Sequence, residues 1–358
     1  MEFADILAAL AFLINGLPVA LMAIGYGFAS VPTGLAYIVG AAGMLISSQP
    51  VPIGFQAESV ILAGEMGKDS QERINIVFYT GILMAVLGGF GILGTIVDFI
   101  GPEILYAMMA GVGVILAKAG TNMFTTRPII AFTSLATAGI AYFLFNGNPN
   151  QMVYMVIISV GASSVLHLIM LHLGKADKKL SLDVDMSIEK FIPIKFKINP
   201  NIVRSTLALC AMQVGANIAF TEVMADFAGT TAKADAVTIY SGIGDSISAA
   251  FGGGPVEAVI SGTAFAPNPL SSGILFSVFF AVLLFSRSVP KLAKYMTTEC
   301  VTGFLVIVGA LSIFSGNALT ALQISPLVAG MTIVVSATTD PFLGMVAGLL
   351  VRLGLGFI

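Results

Sequence analysis

Three consecutive glycines and a proline, Gly252-Gly253-Gly254-Pro255, followed at once by a carboxylate at Glu257, interrupt sequence that is otherwise as apolar as a bilayer-spanning helix. Such a run cannot continue an ordinary helix, and in lipid a non-helical backbone survives only where protein buries it or it lines a cavity. A carboxylate at that depth is costly and is normally paired, protonated or turned to a water-filled space. An earlier stretch, residues 47–58, repeats the grammar: Pro50, Pro52 and Gly54 precede Phe55, Gln56 and Glu58. Both stretches are expected to be extended segments that break a spanning element and then start a half-helix. The helix start would aim backbone N–H groups and the positive end of a dipole into a central chamber.

The surrounding composition fits only a membrane. Of 358 residues, 57% are hydrophobic and 10% charged, with a mean hydropathy of +0.98, which excludes the water-soluble globular classes. A net charge of -3 excludes nucleic acid as a partner, because no basic footprint exists. Cys210 and Cys300, in apolar context, read as buried free thiols, and no cofactor or metal motif is visible. His167 and His172 close one apolar run and read as interfacial. The first residues lack a signal-peptide pattern, so the first apolar segment is expected to be retained in a multi-pass protein of the cell (plasma or inner) membrane.

Apolar runs predict an all-α polytopic fold of about fourteen elements. In the first half they lie near 5–25, 31–45, 50–64, 74–98, 102–118, 128–146 and 151–173. A hydrophilic connector, 174–201, reads as a short strand pair or an interfacial segment. The second half follows with elements near 202–226, 234–248, 252–265, 271–289, 297–315, 319–336 and 339–357. The spacing from Glu58 to Glu257 nearly equals that from Gly81-Ile-Leu to Gly273-Ile-Leu and from Gly111 to Gly303, short of one deletion at the polar loop 64–73. Seven elements per half is an odd number, so the halves 1–173 and 202–358 must insert as inverted repeats, with a site where they meet at mid-bilayer.

Three stretches, Ser241 to Pro255, Pro50 to Ala57 and Tyr79 to Gly120, resemble the nucleobase:cation symporter family of uracil, xanthine and hypoxanthine/guanine permeases. That resemblance implies a core domain (about 5–98 plus 202–289) and a gate domain (about 102–173 plus 297–358). It also implies proton-coupled uptake of a base held between elements 3, 8 and 10, where Gly253, Gly254 and Pro255 belong to the broken segment. The acidic position of that family's tenth element falls on Ser261, whereas the acid here, Glu257, stands about one helical turn earlier. In the eighth element the corresponding position falls near Met212 and Gln213.

Glu257 is the leading candidate for binding substrate and carrying a proton. Glu58 either binds substrate or braces the broken backbone. Phe55 and Gln56 offer a stacking face and an amide to a planar heterocycle. Gln213 and Asn217 share a helix face and suit either a base edge or interhelical packing, and Asn15 invites the same two readings. Glu222 is a second proton-coupling candidate, with a solvated helix end as its other reading; Asp245 and Asp340 read as braces or caps.

Basic residues, among them Lys68, Arg73, Lys118, Arg127 and the connector's lysines, crowd the side opposite the N-terminus. Their bias puts the N-terminus outside; the family resemblance puts it inside. The leading expectation is a proton-coupled permease for a purine or other nucleobase. The second keeps the fold and takes a small anion, as sulfate and bicarbonate carriers of this architecture do, since half-helix N-termini suit anions. Zinc-helix, nucleophile-elbow and paired catalytic carboxylate motifs are missing, so an enzyme is not expected. A homodimer is the expected assembly.

Overall fold

The computed structural model describes residues 2–148, 151–174, 191–289, 291 and 297–356; the side chains of Asn15 and Glu58 lie outside the described set. The first half contains α1 (Phe3–Gly25), α2 (Ser30–Ser47), strand β1 (Ile53–Gly54), α3 (Ala57–Met66), α4 (Ser70–Gly89), α5 (Ile92–Asn122), α6 (Pro128–Leu144) and α7 (Gln151–His172). The second half contains α8 (Pro200–Phe227), α9 (Ala234–Ala250), strand β2 (Glu257–Ala258), a single 3-10 turn Gly262–Phe265 and α10 (Pro269–Phe285). It ends with α11 (Thr302–Ile307), a π-helical stretch Val308–Phe314, α12 (Ser315–Ile324), α13 (Pro326–Thr338) and α14 (Pro341–Leu355). With β1 and α3 taken as one broken element, β2 and the 3-10 turn as another, and α11 to α12 as one span, each half supplies seven elements.

Local chemistry sets these boundaries. Helices α6, α8, α10, α13 and α14 each begin with proline in the first turn, where the missing N–H costs nothing. Asp69, Asn199 and Asp340 accept from the third N–H of α4, α8 and α14 at 2.7, 2.8 and 2.9 Å. The expected element near 319–336 is divided: α12 stops at Ile324 and Pro326 starts α13, because proline ends the preceding helix and presets the next. Within α5, Gly101 adopts φ 73° ahead of Pro102, which kinks the helix. Arg352 of α14 caps the freed carbonyls there, donating to Ile100 O at 2.7 Å and Phe99 O at 2.8 Å.

The inverted symmetry is visible in the packing. Helix α4 lies along α9, and its symmetry mate is the packing of α2 along α10. At the first crossing Gly81 and Gly242 oppose one another so closely that a Cβ on either would stand 2.5 Å from the other's carbonyl oxygen, the close approach that small residues give helices in lipid. Beneath these helices Tyr37 stacks on Phe280 with centroids 4.7 Å apart, and Phe12 meets Phe276 and Phe304 edge-on. The outside is apolar too: Ile46, Phe90, Phe143 and Leu144 are each more than 70% exposed. Among the described residues five helices, including Ser30–Ser47 and Pro200–Phe227, are long and apolar enough to cross a bilayer, and the fold is that of a multi-pass membrane protein.

Two expectations change. His167 is buried, not interfacial, because α7 presents Ser159, Ser163 and His167 at helical spacing to the interior, where Ser163 donates to Cys300 O at 3.3 Å. Of the connector, 175–190 lies outside the described residues, and 191–199 forms no strand pair of its own. It runs beside α4 instead, with Asn75 accepting from Lys197 N at 3.0 Å and Gln71 from Lys195 N at 2.7 Å.

Candidate functional site

Strands β1 and β2 pair antiparallel at the centre, Ile53 opposite Ala258 and Gly54 opposite Glu257. Val259 N donates to Pro52 O at 3.0 Å and lengthens the ladder. In this register Gly54, not Glu58, stands opposite Glu257. Glu58 is therefore not the symmetry counterpart of Glu257: it stands in the first turn of α3, whereas Glu257 lies in a strand. The slip arises because the two carboxylates follow their prolines at different distances, and spacing along the chain cannot reveal strand register.

The Gly-Gly-Gly-Pro run is a turn locked from three sides. Gly252 has φ 94°, a conformation that disfavours a side chain, and its carbonyl accepts from Ala29 N. Gly253 passes so near Thr33 that an added Cβ would stand 2.8 Å from its backbone nitrogen. Gly254 donates to Thr33 Oγ1 at 2.9 Å and accepts from Ser248 Oγ at 2.8 Å. Asp245 of α9 then takes Val256 N–H at 2.5 Å on one oxygen and the Gln213 amide at 3.2 Å on the other. Asn217 of α8 accepts from Ala258 N at 3.0 Å and donates to Ser241 and Thr238 hydroxyls. The amides of Gln213 and Asn217, 2% and 0% exposed, thus brace β2 from behind.

On the β1 side, Tyr37 Oη accepts from Phe55 N at 3.1 Å and Tyr240 Oη donates to Val51 O at 2.6 Å. Gln56 N-caps α3 by position, but its side chain does not cap; it reaches across to Ala258 O at 3.3 Å. Glu257, buried, accepts from the Ser59 hydroxyl at 2.5 Å, so β2 holds the start of α3 at two points.

Two cavities meet here. A chamber of about 230 Å³ is walled by Phe55, Gln56, Tyr37, Val259 and Ile260 of the centre and by Ile115, Ala119 and Phe220. A vestibule of about 260 Å³ shares Ile115, Ala119 and Phe220 with it and adds Glu257, Lys118, Asn122 and residues 337–341. Phe55, Gln56 and Glu257 are thus brought together at these spaces. Gly253, Gly254, Pro255, Gln213, Asn217 and Ser261 support their walls from outside. Ser261 turns inward to cap the 3-10 turn, accepting from Thr263 N at 3.2 Å. Glu222 stands half-buried farther along α8 and lines neither cavity.

Sequence reasoning missed Tyr37, Ser59, Lys118 and Asn122. Lys118 and Asn122 had a legible signal: with Ile115 and Ala119 they fall on one helical face of a glycine-bearing apolar span. Tyr37 and Ser59 had none, because their partners come from register and from the other repeat.

Neither a family model nor a curated protein sequence matches this chain. Solved structures do. The transmembrane domain of a cyanobacterium bicarbonate transporter, BicA, superposes with a TM-score of 0.63 at 14% identity, covering 97% of this chain and 98% of that one. A structure of SLC26A9 gives 0.62 at 13% identity over 98% of this chain and 64% of that one. The murine Slc26a9 anion transporter in its inward-facing state gives 0.55 at 15% over 99% and 68%. At these identities the likeness establishes the fold: two inverted repeats of seven elements, with elements 3 and 10 broken, assembled as core and gate. The nucleobase carriers that the sequence resembles are not among these three, and this chain shares its transmembrane architecture with BicA and SLC26A9.

Proposed function

We propose that this chain is a secondary transporter of a small anion, working by displacement of a core (about 5–98 plus 202–289) against a gate (about 102–173 plus 297–358). The observation that carries the reading is the start of α3. Strand β1 delivers the chain to the chamber wall, and Gln56, the N-cap residue of α3, lends its side chain elsewhere instead of capping the helix. The leading N–H groups and dipole of such a helix attract negative charge. A chamber of about 230 Å³ lies below the about 300 Å³ at which drug-sized sites begin. The bicarbonate and anion transporters of the same fold support the same cargo class.

Glu257 lines the vestibule beside that chamber, and two negative charges sharing a poorly solvated space repel strongly. The anion therefore travels with a cation that neutralises Glu257, and a proton on the carboxylate is the simplest, with Ser59 holding the other oxygen. A nucleobase is the second reading, favoured by the Phe55 ring and the Gln56 amide side by side in the chamber. The test is uptake by proteoliposomes of labelled bicarbonate, sulfate and chloride against uracil, xanthine, hypoxanthine and guanine, at several pH gradients. Uptake of an anion that bases do not compete supports the proposal; uptake of a base alone overturns it in favour of the second reading.

A further inference from the structure

We infer that Lys118 is the counter-charge on the gate that captures the transported anion in the vestibule and passes it to the start of α3, an inference that rests on the anion reading above. Helix α5 turns Ile115, Lys118, Ala119 and Asn122 to one side. Ile115 and Ala119 line the chamber and the vestibule alike, while Lys118 and Asn122 line the vestibule alone. Lys118 therefore stands directly outside the chamber, on the route to it from that side.

Among the described residues, three charged side chains line these two spaces: Lys118, Glu257 and Asp340. Asp340 is engaged in capping α14 through Leu343 N at 2.9 Å. Glu257 is held by Ser59 and belongs to the core. Lys118 is exposed, and among the described residues no ion pair or side-chain hydrogen bond engages its ammonium. A cation with no such partner among the described residues, lining the same vestibule as a buried carboxylate, is suited to exchanging partners. It draws in an anion while Glu257 is neutral, and is drawn toward Glu257 when the carboxylate is ionised and the site empty. The ligand class is a small inorganic anion or carboxylate, with the Asn122 amide beside the ammonium as a second donor.

The alternative role for Lys118, a lysine reaching for water at a helix end, predicts no effect on substrate affinity, and charge-resolved kinetics separate the two. In proteoliposomes, Lys118→Gln is expected to raise the KM for the transported anion by about tenfold with little change in maximal rate, and Lys118→Arg to stay within about threefold of the parent. Lys118→Cys is expected to behave like Lys118→Gln and to recover after modification with aminoethyl methanethiosulfonate, but not with its anionic sulfonatoethyl counterpart. The native thiols, Cys210 and Cys300, are buried and leave the unsubstituted protein as the reagent control. Anion uptake by the parent with an unchanged KM in Lys118→Gln overturns this inference alone. An absence of anion uptake by the parent overturns the anion reading and this inference with it.

Discussion

Asn217→Ala tests whether the strand that carries Glu257 is held from behind as described. Asn217 makes three contacts: it accepts from Ala258 N at 3.0 Å and donates to Ser241 Oγ at 3.0 Å and Thr238 Oγ1 at 3.3 Å. Losing the two donors matters little, because Ser241 already donates to Thr238 O at 3.3 Å and a hydroxyl rotates to suit its neighbours. The Ala258 N–H is different, since it is fully buried and its acceptor disappears. A stranded buried donor costs about 1–3 kcal/mol, so about 2 kcal/mol is expected in the local stability of β2. At 1.36 kcal/mol per tenfold, that is about a 30-fold faster opening. The assay is amide hydrogen exchange by mass spectrometry on detergent-solubilised protein, following peptides that span 256–260 against peptides of α7 as an internal reference. Ser241→Ala, which leaves the Ala258 bond intact, is expected to exchange as the parent does. Hydrogen bonds between membrane helices average only about 0.6 kcal/mol, which corresponds to less than threefold. Acceleration of that size or smaller would falsify the brace and return Asn217 to ordinary helix packing.

Gly253→Ala is expected to abolish the monodisperse peak in size-exclusion chromatography, because its Cβ would stand 2.8 Å from the backbone nitrogen of Thr33 and backbone cannot yield as a side-chain tip can; a normal peak would show that the turn has slack. Glu257→Gln keeps an acceptor for the Ser59 hydroxyl, so the thermal midpoint is expected to hold while the pH dependence of uptake disappears; a retained pH profile places the proton elsewhere. Arg352→Lys loses the fork that reaches Phe99 O, Ile100 O and Glu103 Oε1 together. The expected loss of about 1–2 kcal/mol lowers the midpoint by at least about 2 °C, and an unchanged midpoint contradicts the capping of the Gly101 kink.

The breaks in elements 3 and 10 were legible because glycine triplets and proline pairs have one physical meaning at membrane depth. Asp340 was legible as a cap, whereas the elements expected near 74 and 202 begin earlier, at Ser70 and Pro200, because Asp69 and Asn199 satisfy donors within three residues of themselves. The site was legible only where a side chain acts near its own backbone. Phe55 and Gln56 reach the chamber because β1 carries them there. Gln213 and Asn217 were correctly placed on one face of α8, yet that face meets β2 and α9 before it meets any solute, and helical periodicity gives direction without depth. Ser59 escaped notice because its partner, Glu257, belongs to the other repeat, joined to it by a register that no local pattern encodes.

That register also shows where the two repeats differ. An ideal inverted repeat would offer two equivalent helix starts and two equivalent side chains at the paired strands. Here the residue paired with Glu257 is Gly54, so a carboxylate on one strand stands opposite a residue with no side chain on the other. The helical follow-on differs as well, ten residues in α3 against a single 3-10 turn after β2. The dipole of a four-residue turn is too short to match that of α3, because the aligned peptide units that build it are few. The longer helix start at the paired strands therefore comes from the first repeat and the strand-borne carboxylate, Glu257, from the second, joined by the hydrogen bond from Ser59 to Glu257. A proton on Glu257 changes the charge at one end of that bridge and leaves the other fixed. On the proposed anion reading, protonation of Glu257 raises the affinity of the site for an anion, and Ser59→Ala, which cuts the bridge, is expected to shift the pH midpoint of uptake more than its maximal rate.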